Sequence, residues 1–314
     1  MLYPILAVVI GLIGLVWSAD RFVEGAAATA WRAGMSKLLI GMTIVSVGTS
    51  APEIVVSIMA SLDGTPDIAT GNALGSNIAN IGLVLGVTAL IAPIPVHFGL
   101  VRRELPLLLA ATALGGYALS NSGLERLDGI LLLALLIFTL VWLFKVDSPS
   151  EAESQDDVPE MSTGRAIFWL LVGLAVLIAS SRALVWGATD IAQALGVPEL
   201  IIGLTVIAIG TSLPELAASV ASALKRHHDI AIGNVIGSNL FNILAVLPVP
   251  GLLAPGPVDG SAISRDYPVM LGLTLLLAAL LIWQRRGRIG RGPGVILLAC
   301  YLAYTAWLAI SLTR

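Results

Sequence analysis

The chain has 314 residues, 57% of them apolar and only 12% charged, about half the charge of an ordinary soluble domain. Apolar runs of roughly 20 residues recur from end to end, each long enough to cross a bilayer, so a pair of soluble domains is excluded. The net charge of -3 sits almost wholly in short loops, and without a basic stripe interleaved with aromatics a nucleic-acid partner has no support.

Ten spans are predicted in chain order, at 2–19, 37–62, 67–93, 104–120, 127–145, 166–184, 199–224, 229–254, 267–284 and 292–312. The first begins at Met1 without a basic n-region and runs into Ser18-Ala19-Asp20. It reads as a retained helix, not a signal peptide. Between the fifth and sixth spans lies KVDSPSEAESQDDVPEMSTGR, rich in Pro, Ser and acid, which reads as a solvated linker. The lone cysteine, Cys300, falls in the last span and excludes an intrachain disulfide. His97, His227 and His228 are read as loop residues, the last two solvated beside Lys225 and Arg226.

With the N-terminus outside, Lys and Arg divide 13 inside to 4 outside. The positive-inside rule therefore places both termini away from the cytoplasm.

The halves repeat. At an offset of 162, GMTIVSVGTSAPE (41–53) matches GLTVIAIGTSLPE (203–215), and DIATGNALGSNIANI (67–81) matches DIAIGNVIGSNLFNI (229–243). Between 41 and 81, 19 of 41 positions are identical. Each half holds an odd number of spans, so the second copy crosses the membrane in the opposite sense. The predicted fold class is all-α integral membrane, ten transmembrane helices as two inverted five-helix repeats. Residues 1–145 form the first repeat, 146–165 an acidic cytoplasmic linker and 166–314 the second repeat. Inverted repeats are a transporter architecture, with the site near the midplane at interrupted helices.

Glu53 and Glu215 lie deep within spans, where a charge costs ~3 kcal/mol on insertion scales. Two carboxylates at equivalent positions point to a shared cation site. Pro52 and Pro214 precede them. Each lacks an N–H, and its ring clashes with the carbonyl four residues back, so oxygens at 48–49 and 210–211 are expected to be freed toward a cavity. Carbonyls plus a carboxylate make a hard-oxygen cage suited to calcium or sodium. Thr49, Ser50, Thr211 and Ser212 add hydroxyls. On a helix, Asn72, Ser76 and Asn80 share one face, as do Asn234, Ser238 and Asn242. Gly71 and Gly75, and Gly233 and Gly237, form small-residue faces for close helix approach. Asn77 and Asn239 serve interhelical hydrogen bonding. No His/Cys cluster suggests zinc, and no phosphate-binding glycine loop suggests an ATP-driven pump.

GTSAPE and GTSLPE, each followed by GN-x-x-GSN-x-x-N, resemble the paired alpha repeats of the sodium/calcium exchanger family, within the cation/calcium antiporter superfamily, in its compact bacterial form. The resemblance covers nearly the whole chain. It implies a ten-helix fold in the bacterial inner membrane and a secondary antiporter, not an enzyme. The transported ions would be calcium and sodium, with no cofactor and no obligate protein partner beyond the bilayer. It implies calcium at Glu53 and Glu215 with the carbonyls of Thr49 and Thr211. Sodium would use Ser50, Ser76, Ser212 and Ser238 with carbonyls near Ser46 and Ala208, and Asn80 and Asn242 would complete the centre. Potassium-dependent members carry Asp where this chain has Asn242, which argues against potassium. The proton-coupled branch carries an acid at the position of Gly75 or Gly237, so glycine favours sodium over protons. Calcium/proton antiport is the alternative, a cation channel is disfavoured by the inverted repeat, and an intramembrane enzyme lacks a nucleophile or metal-ligand set.

Overall fold

The computed structural model describes residues 2–96, 98–120, 123–146, 161–196, 208–283 and 287–312. The helices are α1 (Leu2–Ala33), α2 (Lys37–Thr49), α3 (Ala51–Leu62), α4 (Pro66–Ile91), α5 (Phe98–Ser120), α6 (Arg126–Val146), α7 (Thr163–Ala194), α8 (Ala208–Thr211), α9 (Leu213–Leu224), α10 (His228–Leu253), α11 (Ala262–Ile282) and α12 (Arg291–Leu312). Among the described residues seven helices are long and apolar enough to cross a membrane, or eight if α2 and α3, bent by 44° at Ser50, count as one span. The molecule is a multi-pass, all-α membrane protein.

α1 and α7 outrun their predicted spans. The sequence reading ends them at 19 and 184, yet each is 32 residues long. Small residues carry α1 onward through Gly25, Ala26, Ala27, Ala28 and Ala30, all buried. Its charges are absorbed on the helix, where Arg21 pairs with Glu24 at 3.0 Å one turn away. The two helices lie along one another. A Cβ at Gly11 would come 2.9 Å from the Leu184 amide nitrogen, and one at Gly173 would come 2.7 Å from that of Phe22. These two glycines are 162 apart, so the same small-residue contact is made from both halves.

α4 and α10 form the centre. In α10, 94% of the apolar window is buried, against 17% in the lipid-facing α12. α10 packs against α2 through glycine, for a Cβ at Gly233 would lie 2.7 Å from the Leu38 carbonyl oxygen, and one at Gly237 2.6 Å from Ser46 Oγ.

Two short ribbons tie the halves together. β1 (Ile94–Pro95) pairs antiparallel with β4 (Arg288–Ile289), and β2 (Gly123–Leu124) with β3 (Gly256–Pro257). β1 and β3 stand 162 residues apart, and each partners a strand from the other half.

The histidine expectation is partly overturned. His227 is buried, not solvated, because it forms the N-cap of α10 and its amide donates to the Ser222 carbonyl at 2.8 Å. His228 is partly buried. His97 and most of the acidic linker lie outside the described residues. Ser162 caps α7, its Oγ accepting from the Arg165 amide.

Candidate ion site

Ser50 and Ser212 stand at the breaks between α2 and α3 and between α8 and α9. Their φ/ψ values, −86/2° and −90/4°, leave the helical region. Pro52 and Pro214 then occupy second positions of the following helices, where a missing N–H costs no helical bond. Glu53 and Glu215 fall in those first turns, where the helix dipole favours a negative charge. Both carboxylates are buried, 2% and 1% exposed, and lie within electrostatic reach of one another.

Each glutamate is held by an asparagine of the next helix. Asn72 Nδ2 donates to the Glu53 carbonyl (3.1 Å) and to Ser57 Oγ (3.2 Å). Asn234 Nδ2 donates to the Glu215 carbonyl (3.3 Å) and to Ser219 Oγ (3.0 Å). These amides are clamps. Ser57 and Ser219 escaped the sequence reading, although a serine four residues after each glutamate was the available signal.

The halves also meet directly. Ser50 Oγ donates to Glu215 Oε1 (3.2 Å), and Thr49 Oγ1 donates to Asn234 Oδ1 (3.2 Å). Asn80 and Asn242 each open a π-helical segment, Asn80–Leu85 and Asn242–Val246, a distortion that occurs frequently at functional sites.

Several buried polar atoms here lack a protein partner among the described residues: Glu53 Oε2, Glu215 Oε2, Ser212 Oγ, Ser238 Oγ and both amide atoms of Asn80 and Asn242. An unpaired buried polar group is costly, and a cluster of oxygens with two carboxylates suits a hard cation as its cargo. Among the described residues no group of three or more His, Cys, Asp or Glu gathers.

Other expected positions divide. Ser76 is buried and lines a cavity of about 270 Å³ with Asn72 and Thr211. Ser46 is engaged within α2, its Oγ donating to the Met42 carbonyl (2.7 Å) and its carbonyl accepting from the Ser50 amide (2.9 Å). Ala208 opens α8. The Gly210 carbonyl, expected to turn toward a cavity, accepts from Ser181 Oγ of α7 at 3.0 Å. Asn77 Nδ2 reaches Met270 Sδ on α11, while Asn239 Nδ2 donates to the Val235 carbonyl of its own helix.

The site is reached unequally from its two sides. A cleft of about 310 Å³ runs between α7 and the breaks, touching Pro52, Val56, Arg182, Thr211 and Pro214. The positions 162 away from Val56 and Val185, Ala218 and Val23, are wholly buried.

The family model for the sodium/calcium exchanger protein matches residues 3–145 and 165–310. The chain belongs to the sodium/calcium exchanger family. It is 43% identical over 317 residues to the inner membrane protein YrbG of Escherichia coli, covering 98% of this chain and 97% of that one. It is 32% identical over 341 residues to the sodium/calcium exchanger MaX1 of Methanosarcina acetivorans, covering 95% and 96%. Among solved structures, the sodium-calcium exchanger NCX_Mj, soaked with sodium and no calcium, superposes with a TM-score of 0.85 at 36% identity, over 97% of this chain and 98% of that one. Membership makes this exchanger-family chain a membrane cation/calcium antiporter. Its two broken helices, each with a buried carboxylate in the turn after the break, are the chain's own candidate for where the ions sit.

Proposed function

We propose that the protein exchanges calcium for sodium by alternating access, at one oxygen-lined site shared by two inverted five-helix repeats of a ten-helix fold. The observation that carries this is the pair of buried glutamates at matching helix breaks, surrounded by oxygens from both halves that have no partner among the described residues. Glu53 and Glu215 hold calcium with the carbonyls of Thr49 and Thr211. Ser50, Ser76, Ser212 and Ser238, with carbonyls near Ser46 and Ala208, serve sodium, and Asn80 and Asn242 close the centre. Two carboxylates balance one calcium or two sodium ions, so the same cage accommodates either cargo. The Lys and Arg bias supports both termini facing away from the cytoplasm. The names of MaX1 and NCX_Mj as sodium/calcium exchangers support sodium as the coupling ion.

The test is calcium uptake into vesicles holding the purified protein, with sodium, potassium and proton gradients imposed separately. An outward sodium gradient drives uptake, and the other two do not. Uptake that tracks a pH gradient without sodium would replace this reading with calcium/proton antiport.

A further inference from the structure

At one end of the α1–α7 pair, Lys225, which caps α9, reaches across to α1. Its Nζ lies 2.6 Å from Asp20 Oδ1 and 2.9 Å from Glu24 Oε1. The 162-residue offset extends to these helices, where Ser18, Val23, Gly25, Ala26, Ala30 and Gly34 match Ser180, Val185, Gly187, Ala188, Ala192 and Gly196. Under it, Asp20 corresponds to Arg182 and Lys225 to Asp63. The acid–base pair is thus repeated with its charges exchanged.

The two copies of the pair are in different states. Asp20–Lys225 is closed. Arg182 and Asp63 are exposed and make no ion pair among the described residues. The surroundings differ in the same sense. Arg182 lines the open cleft that touches Thr211, Pro52 and Val56. Beside the closed pair, Ala19, Val23 and Ala218 are fully packed, and Thr49, the counterpart of Thr211, is itself buried.

From this we infer that Asp20–Lys225 and Asp63–Arg182 are two alternative ionic locks, one closing each side of the ion path, so that only one is made at a time. In an inverted repeat the two halves exchange conformations between end states. A contact from α1 of the first half to α9 of the second therefore maps, in the opposite state, onto one from α7 to the end of α3. Lys225 is a positioning residue: it touches no ion, and holds α1 against α9 while the Arg182 side stands open. The inference rests on the alternating access proposed above.

The test uses two cysteine reporters in a Cys300→Ala background, Val56→Cys in the open cleft and Ala218→Cys at its buried counterpart, with maleimide labelling of the purified protein. Lys225→Ala lowers labelling at position 56 and raises it at 218, each by roughly three- to fivefold, the scale of a partly buried ion pair. Arg182→Ala or Asp63→Ala moves both in the opposite sense. Asp20→Lys with Lys225→Asp moves both rates back toward the original, short of full recovery because Glu24 faces the new aspartate. Rates that do not move, or that rise together at both positions as loosening of the fold would make them, overturn the locks. Failure of the function is separable: reciprocal labelling without sodium-driven calcium uptake removes the transport reading, and uptake with unmoved labelling removes the locks.

Discussion

Ser50 donates its hydroxyl to Glu215 across the two halves at 3.2 Å, while its counterpart at the other break, Ser212, is buried with no partner for its oxygen among the described residues. The two serines occupy the same position of the same motif, so the difference belongs to the conformation, not to the sequence. Ser50 lends its hydrogen to a carboxylate, and Ser212 Oγ is left as an acceptor beside the centre.

Removal of either carboxylate charge disables the site. Glu53→Gln and Glu215→Gln keep shape and hydrogen-bonding capacity but each halves the negative charge available to a divalent ion. Sodium-driven calcium uptake should fall at least about 100-fold in either variant, since breaking one charge contact to a buried ion costs several kcal/mol. Unchanged uptake in Glu53→Gln would remove the site assignment.

The asparagine clamps predict a milder loss. Asn72→Ala and Asn234→Ala each remove the donor to a serine hydroxyl and to a glutamate carbonyl, at ~1–3 kcal/mol. Both variants should insert and be purified, with a lower melting temperature and weaker calcium affinity. Asn234→Ala should be the more severe, because Asn234 also accepts from Thr49.

Close packing of α10 on α2 gives a steric prediction. Gly237→Ala places a methyl 2.6 Å from Met42 Cα and from Ser46 Oγ, so the helices must part next to the site. Expression or thermal stability should drop, by ~1–3 kcal/mol for overpacking. Gly272→Ala, whose methyl meets nothing within 4 Å, should match the parent in the same assay.

Ser181→Ala removes the donor that satisfies the Gly210 carbonyl at the break. The freed oxygen costs ~1–3 kcal/mol if it stays dry. Heat-unfolding midpoints of this variant should fall, and Ala19→Ser, at the matching position of the first half, should not rescue it.

The Asp20–Lys225 pair sets a pH expectation. Burial works against the Lys225 charge, but the Asp20 and Glu24 carboxylates outweigh it and raise the ammonium above its ordinary value of 10.5. Arg21 faces the same cluster through Glu24. A raised basic group contributes its stability below the ordinary pKa and loses it as pH climbs past the raised one. The ratio of labelling at position 56 to that at 218, which removes the rise in thiolate that both cysteines share as pH climbs, should therefore hold through the neutral range and fall only at strongly alkaline pH.

Much of this was legible in the sequence. The offset of 162 located both breaks, both buried glutamates and the paired Asn80 and Asn242 segments, because backbone consequences of Pro and Gly are local and survive translation into three dimensions. The ends of α1 and α7 were not, since hydropathy stops at the first charged turn while the helix runs on, in α1 because those charges find partners and in α7 because Arg182 stays exposed. Lys225 supplies one such partner from 201 residues beyond Glu24, which no window along the chain detects. His227 was misplaced for the same reason: a polar run between spans reads as solvated, yet capping α10 buries it. The fate of the Gly210 carbonyl depended on Ser181, whose counterpart in the other half is Ala19, a difference that repeat-matching discards.

The two ribbons, Ile94–Pro95 with Arg288–Ile289 and Gly123–Leu124 with Gly256–Pro257, have a consequence for biogenesis. Each strand's partner lies in the other half, so no ribbon can form while only the first half has left the ribosome. The nascent first half must wait in the bilayer with two edges open until residues beyond 256 arrive, which makes the finished molecule an intramolecular dimer, assembled late.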